Sequence, residues 1–343
     1  MPILYHADDM EIFWNFITER HSIYRKKELS GTQPPWTEDN VLQNFKFTNV
    51  FRDLDRGTRF VTDYIYKHTS TIEEVFLNVI AYRMFNKIET FLVHGILPLD
   101  FDREKFVQVV RGIDDKVFTN AFIVSGYPCF DGADKIEKVS HLIDAVAGMA
   151  KSNDSHGWVG ECFDGSMEKA YKMLRTVNGL GPFLAYQIAV DFSYNKLSGY
   201  GEEDFVVDGP GAKRGLDRLF PEETIQTEGY ERLNFWLAEK QKEFFDDYGI
   251  AYEYEFSDRP KGIHGPLTVM DLENCLCEIS KYMKAINGEG RPRNTYDEEA
   301  GLQRKVSPRD NSWLIKDKIF NKFTKEHEKY VPLNISVSYY LKG

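Results

Sequence analysis

LRTVNGLGPFLAYQI, residues 174–188, is the stretch from which the fold can be read. Leu174 and Val177 lie one helical turn apart and close the apolar face of a first helix. Gly179, Leu180 and Gly181 interrupt that helix. Pro182 suits the first turn of a second helix, because the N–H it lacks would have no intrahelical acceptor there. Ala185 permits close packing, and Ile188 continues the apolar face. The pattern predicts a helix-turn-helix hairpin over 174–190, with backbone N–H groups at the turn and the second helix N-terminus suited to a DNA phosphate. An ordinary tight corner between helices reads the same way, so Gly179 and Gly181 are candidate DNA-backbone contacts and no more.

Downstream comes FVVDGPGAKRGLDRL, residues 205–219. A short apolar run delivers Asp208 to the start of another helix, and Lys213 and Arg214 follow within its first turns. A helix cap is the plainer reading of this aspartate. The order of hairpin, apolar stretch and V-D ahead of a basic helix resembles the helix-hairpin-helix/Gly-Pro-Asp superfamily of DNA glycosylases. That resemblance implies a catalytic role for Asp208 within the segment 204–219, where a carboxylate stabilises an oxocarbenium-like sugar and orients water. Phe183 stands where bifunctional members carry a Schiff-base lysine, so a water-using, monofunctional enzyme is expected.

Helical periodicity dominates the remaining chain, with helices predicted near 8–29, 53–67, 71–89, 133–150, 166–177, 183–194, 211–219, 228–246, 268–285 and 312–327. GTQPPW, residues 31–36, breaks the first of these, and Thr37 with the acidic residues after it reads as a helix start. Strand patterns are scarce; VPLNISVSYYL near the C-terminus is the best candidate. Residues 285–311 are polar and turn-rich, and read as a surface connection.

The bulk numbers exclude some classes. With 42% hydrophobic and 28% charged residues over 343 positions, the chain is an ordinary globular one. A net charge of −11 argues against coating nucleic acid through bulk electrostatics, though a site-specific DNA enzyme needs only a positive docking face. No apolar run approaches the ~18 residues of a membrane span. The 4 cysteines are too scattered for a disulfide framework, and neither they nor the 8 histidines form a metal-ligand pattern. No metal and no cofactor are expected, and the protein reads as intracellular, working on DNA.

A second resemblance covers more of the chain. FWNFITERHSIY (13–24), PWT (35–37), FKFTNVFRDLDR (45–56) and DLENCLCEISKY (271–282) are similar to the helical domain named after 5-hydroxymethyluracil DNA kinases. That family resembles in turn the α-glutamyl/putrescinyl thymine pyrophosphorylases of DNA hypermodification. The resemblance implies a glycosylase-like helical fold that meets 5-substituted pyrimidines. Kinase activity is not expected to carry over, because no G-x-x-x-x-G-K-[ST] loop cradles a nucleotide. In the 45–56 segment, Thr48 and Asn49 offer donors and acceptors to a pyrimidine edge, while Lys46, Arg52 and Arg56 suit phosphates or an anionic substituent. Asp55 is grouped with them as base-binding, although Arg52–Asp55 could equally be a surface ion pair. Tyr186 and Gln187 are pocket or core residues, and Asn78, Arg83 and Asn86 form a polar stripe on an apolar helix. His264 reads as a loop residue.

The expectation is therefore a mainly α, helix-hairpin-helix glycosylase-like fold of two closely packed helical subdomains with a cleft between them. Residues 1–290 form the domain and 291–343 a C-terminal extension. The expected function is a DNA glycosylase that flips out a 5-substituted pyrimidine and hydrolyses its N-glycosidic bond, in a setting of phage defence. The rivals are a transferase attaching an amino acid or polyamine to 5-phosphomethyluracil in DNA, and a noncatalytic DNA-binding module.

Overall fold

The computed structural model describes residues 2–119, 132–152, 157–250, 267–290, 292, 295 and 296. It is mainly helical. The expected strand at 331–341, the helix at 312–327, His264, and most of the 285–311 connection lie outside the described residues. Two compact units emerge: of the described residues, one takes those up to Asp55 and those from Phe205, the other takes Arg56–Asp204.

In chain order the first unit opens with α1 (Ala7–Tyr24), which passes into a π turn (Arg25–Leu29), then α2 (Asn40–Asn44) and a 3-10 turn (Arg52–Leu54). The second unit contains α3 (Arg56–Phe60), which runs through a π turn into α4 (Tyr66–His68), followed by α5 (Ile72–Phe85), α6 (Ile88–His94), α7 (Arg103–Arg111), α8 (Lys135–Lys151), α9 (Trp158–Glu161), α10 (Met167–Leu174) and α11 (Pro182–Ser193). The chain then returns to the first unit for α12 (Pro210–Leu219), α13 (Glu222–Glu228), α14 (Tyr230–Asp247) and α15 (Val269–Ile286).

Local chemistry accounts for the boundaries. Gly31 adopts a positive φ of 62° just past the π turn, and the chain has left the first helix there, ahead of the prolines at 34 and 35. The next helix starts two residues later than Thr37 suggested, because Asp39 accepts the Val41 and Leu42 N–H groups while Thr37 accepts from Asp39 itself. The predicted helix over 71–89 is cut at Asn86, which turns left-handed at φ 48° and closes α5 before α6 begins. At α15, Thr268 and Asp271 form a reciprocal capping box.

Each unit buries its own core. In the first, Met10, Phe13, Trp14 and Ile17 of α1 are fully buried at helical spacing, with Trp14 stacked on Phe244 and edge-on to Phe245. In the second, α5 is buried along its whole length from Val75 to Phe85. Its Arg83 makes a two-pronged ion pair with Asp191 of α11, at 2.5 and 2.6 Å, between side chains that are 1% and 0% exposed. The predicted hairpin is there as α10, a turn with Gly179 at φ 92°, and α11 starting on Pro182.

Candidate functional site

The first unit organises its polar interior around α15, which presents different residues on opposite faces at 3.6 residues per turn. Asp271, Asn274 and Cys275 hold the 47–55 segment. Asp271 accepts the Arg52 N–H at 2.8 Å, Asn274 donates to the Asn49 carbonyl at 2.7 Å, and the Thr48 hydroxyl donates to Asn274 at 3.3 Å. Arg20 of α1 donates to Asn49 Oδ1 at 2.7 Å, and Asn49 Nδ2 donates to the Leu54 carbonyl. Both ends of the Asn49 amide are thus used inside the protein, where sequence reading had offered them to a base.

Glu273, Leu276 and Cys277 form the opposite face, against α12. The approach there is close enough to require glycine. A Cβ on Gly215 would stand 2.3 Å from the Leu276 carbonyl oxygen, and one on Gly211 would stand 2.6 Å from the Cys277 sulfur. This packing brings the start of α12 to Glu273, whose Oε1 accepts the Gly209 N–H at 3.4 Å and lies 3.6 Å from the Cys277 sulfur.

Asp208, immediately before that glycine, is 5% exposed. Its Oδ1 accepts from Asn234 of α14 at 2.9 Å. Its Oδ2, the Asn234 Oδ1, and the Nε and Nη2 of Arg52 are covered by protein and make no hydrogen bond among the described residues. Burial pushes the Asp208 carboxyl up to about 6, aided by Glu231 and opposed by the Asn234 bond and Lys213. Glu273 is pushed up to about 7, first by burial and then by Asp208, with Arg52 pulling the other way. Two carboxyls near neutrality, the Glu273 one drawn down by the buried Arg52 guanidinium, can accept or hold a proton at physiological pH, the property required of a general base.

Arg52 and Asp208 therefore share one electrostatic neighbourhood through Glu273. Lys213 stands on the exposed side of α12, 5.1 Å over the Tyr230 ring, with Arg214 exposed beside it. Lys46 and Thr48 are exposed and Asp55 is half-buried at the end of the 3-10 turn. The other candidates belong to the second unit. Arg56 is exposed and paired with Glu89 at 3.2 Å; Tyr186 and Gln187 are buried in α11; Gly179 and Gly181 form the hairpin turn and the α11 N-cap. The Asn78–Arg83–Asn86 stripe ties the unit internally, since Asn78 bonds both the N–H and the carbonyl of Leu97 and Arg83 bonds Asp191 and Asn86. Sequence reading missed Glu273 and Asn234. The available signal was a carboxylate and an amide set among residues such as Leu272, Leu276, Leu233 and Leu237, all of them buried.

Comparison with known proteins bears on what this site does. The family model described as "5-hmdU DNA kinase, helical domain" matches residues 8–291. A 5-hmdU DNA kinase of Bacillus phage SP10 is 26% identical over 293 residues, a match covering 79% of this chain and 44% of the relative. The chain thus spans less than half the length of that curated relative. No solved structure matches. These findings overturn the expectation of a monofunctional glycosylase, with its base flipping and N-glycosidic hydrolysis. The physical reason for the error is that the hairpin and V-D-G-P order locate a carboxylate without specifying the bond it acts on. The chain belongs to the 5-hmdU DNA kinase helical-domain family.

Proposed function

We propose that this chain is the acceptor-side module of a phosphotransferase that phosphorylates the 5-hydroxymethyl group of a pyrimidine in DNA. The observation that carries the reading is the set of covered, unsatisfied atoms of Asp208, Asn234 and Arg52 beside Glu273. Each such atom costs on the order of 1–3 kcal/mol when left without a partner, and strain of that size is characteristic of a working site. In this reading the cover parts when substrate arrives. Asp208 Oδ2 accepts the hydroxymethyl proton, the freed oxygen forms a bond to the transferred phosphorus, and the electron pair of the broken P–O bond leaves with a nucleoside diphosphate. Arg52 faces the charge on the new phosphate.

A 5-substituent projects into the major groove, where thymine carries its methyl, so the reaction needs no extrusion of the base. Exposed Lys213, Arg214 and Lys46 supply contacts to the DNA backbone. The helix-hairpin-helix arrangement and a domain running over 1–290 belong to the same proposal. The nucleotide is held by another domain or partner, since the sequence has no phosphate-cradling loop of the G-x-x-x-x-G-K-[ST] type.

The test is incubation with duplexes carrying thymine or 5-hydroxymethyluracil, with and without ATP and Mg²⁺, followed by binding measurements and nucleoside mass spectrometry. Selective binding of the hydroxymethylated duplex is expected, together with a mass gain of one phosphoryl group wherever the donor side is complete. A gain of an amino acid or polyamine in the presence of those amines would instead establish the rival transferase. Equal affinity for both duplexes would remove the proposal.

A further inference from the structure

An aspartate just ahead of a helix ordinarily caps it, its carboxylate accepting the first backbone N–H groups. Asp208 does not. The N-cap of α12 is Gly209, Asp208 Oδ2 makes no hydrogen bond among the described residues, and Oδ1 turns instead to another helix. It accepts the Asn234 Nδ2–H of α14 at 2.9 Å, 26 positions away in sequence. An ionised carboxylate can only accept, so the amide must give Asp208 its nitrogen and keep its carbonyl oxygen for some other donor. That carbonyl oxygen, like Asp208 Oδ2, is covered and makes no hydrogen bond among the described residues.

Packing does not ask for an amide here. Asn234 is 0% exposed in the interior of α14, where Leu233 and Leu237 are equally buried. A leucine would continue that apolar face, favour the helix and leave no buried carbonyl unsatisfied. What the amide adds is a fixed donor to one oxygen of Asp208. We infer that Asn234 is a positioning residue for Asp208: its N–H pins Oδ1, so that Oδ2 is the oxygen presented to the hydroxymethyl proton. The inference rests on the reading of Asp208 as the reacting carboxylate; the bond that carries it is a property of the free protein. The charged and titratable groups facing Asp208 are Lys213 from α12, Glu231 from α14 and Glu273 from α15, with Arg52 of the 3-10 turn beyond Glu273.

The experiment is carboxyl-carbon NMR titration of the full chain without DNA, in the wild type, Asn234→Leu and Asn234→Ala, with the Asp208 signal assigned by its loss in Asp208→Asn. A bond donated to the carboxylate favours its ionised form, so losing it is expected to raise the Asp208 midpoint from about 6 by about one pH unit. The second variant keeps the test alive if the first fails to fold. A midpoint unmoved in a folded variant would overturn the inference, even where stability falls, because Asn234 would then serve packing alone. Selective binding of the 5-hydroxymethyluracil duplex is measured across the same pH range. Its acid limb should move up with the Asp208 midpoint in the variants. A raised midpoint with an unmoved acid limb would uphold the bond and refute Asp208 as the reacting carboxylate, so the two failures are distinguishable.

Discussion

Gly215→Ala tests the central packing claim, because helix propensity and tertiary structure predict opposite signs. Inside a helix, alanine is favoured over glycine by about 1 kcal/mol, and α12 runs from Pro210 to Leu219 with Gly215 in its interior. Yet the added Cβ would meet the Leu276 carbonyl oxygen at 2.3 Å, its carbon at 2.9 Å and its Cα at 3.1 Å. These are backbone atoms of α15 and cannot rotate aside. Relief requires the helices to part by about 1 Å, a gap that forfeits a quarter to a half of the dispersion energy across the contact. Ala212, Leu216 and Leu219 on α12 and Leu272, Leu276 and Ile279 on α15 are all fully buried and would share that loss. Overpacking of this kind costs about 1–3 kcal/mol and occasionally more. With the cost at the upper end and the propensity gain subtracted, the net loss is about 2 kcal/mol. In urea, at roughly 2 kcal/mol per molar, that lowers the midpoint by about 1 M. Gly211→Ala should cost less, since its Cβ meets the mobile Cys277 sulfur, and Gly209→Ala least, with Glu273 Oε1 at an ordinary 3.5 Å. A Gly215→Ala midpoint at or above wild type, or a reversed order in the series, would refute the reasoning.

Asp208→Asn should stabilise the protein at pH 8 by up to about 3 kcal/mol while impairing function. The folded-state value of about 6 lies above the ordinary 3.8, so the carboxyl's stability contribution is intact below pH 4 and is lost as pH rises through 6. The gain in urea midpoint should accordingly vanish near pH 4, and equal midpoints at pH 8 would count against a buried, ionised Asp208. Arg83→Met alone is expected to cost about 3–5 kcal/mol by stranding Asp191, with Arg83→Met/Asp191→Leu recovering much of it; paired denaturation curves decide this. Replacing Lys213 and Arg214 together by alanine should weaken DNA binding alike for modified and unmodified duplexes. It should also reduce the slope of log affinity against log salt by about 2 in magnitude, and an unchanged slope would place the DNA elsewhere.

Much of the local structure was legible in the residues. Pro182 after a Gly-x-Gly turn marked the start of α11, because a proline at the first helical position is decided by covalent geometry. The apolar spacing of Phe13, Trp14 and Ile17 similarly declared a buried helical face. Asp208 stood out because a carboxylate between an apolar run and a helix start is conspicuous in one dimension.

Long-range pairing was not legible in this way. Asn78, Arg83 and Asn86 looked like a pocket stripe, but their partners are Leu97 and Asp191, whose proximity depends on how α5 and α11 pack. Asn49 looked like a base reader until Arg20 and Leu54 were seen to occupy both ends of its amide. The residue types, turn chemistry and helical periods of this chain follow from its sequence, because each depends on neighbours a few positions away. The grouping of Asp208, Asn234, Glu273 and Arg52 was decided by the tertiary structure alone. Which charges share a low-dielectric interior is determined by contacts between residues as much as 221 positions apart (Arg52 to Glu273), and no local pattern encodes them.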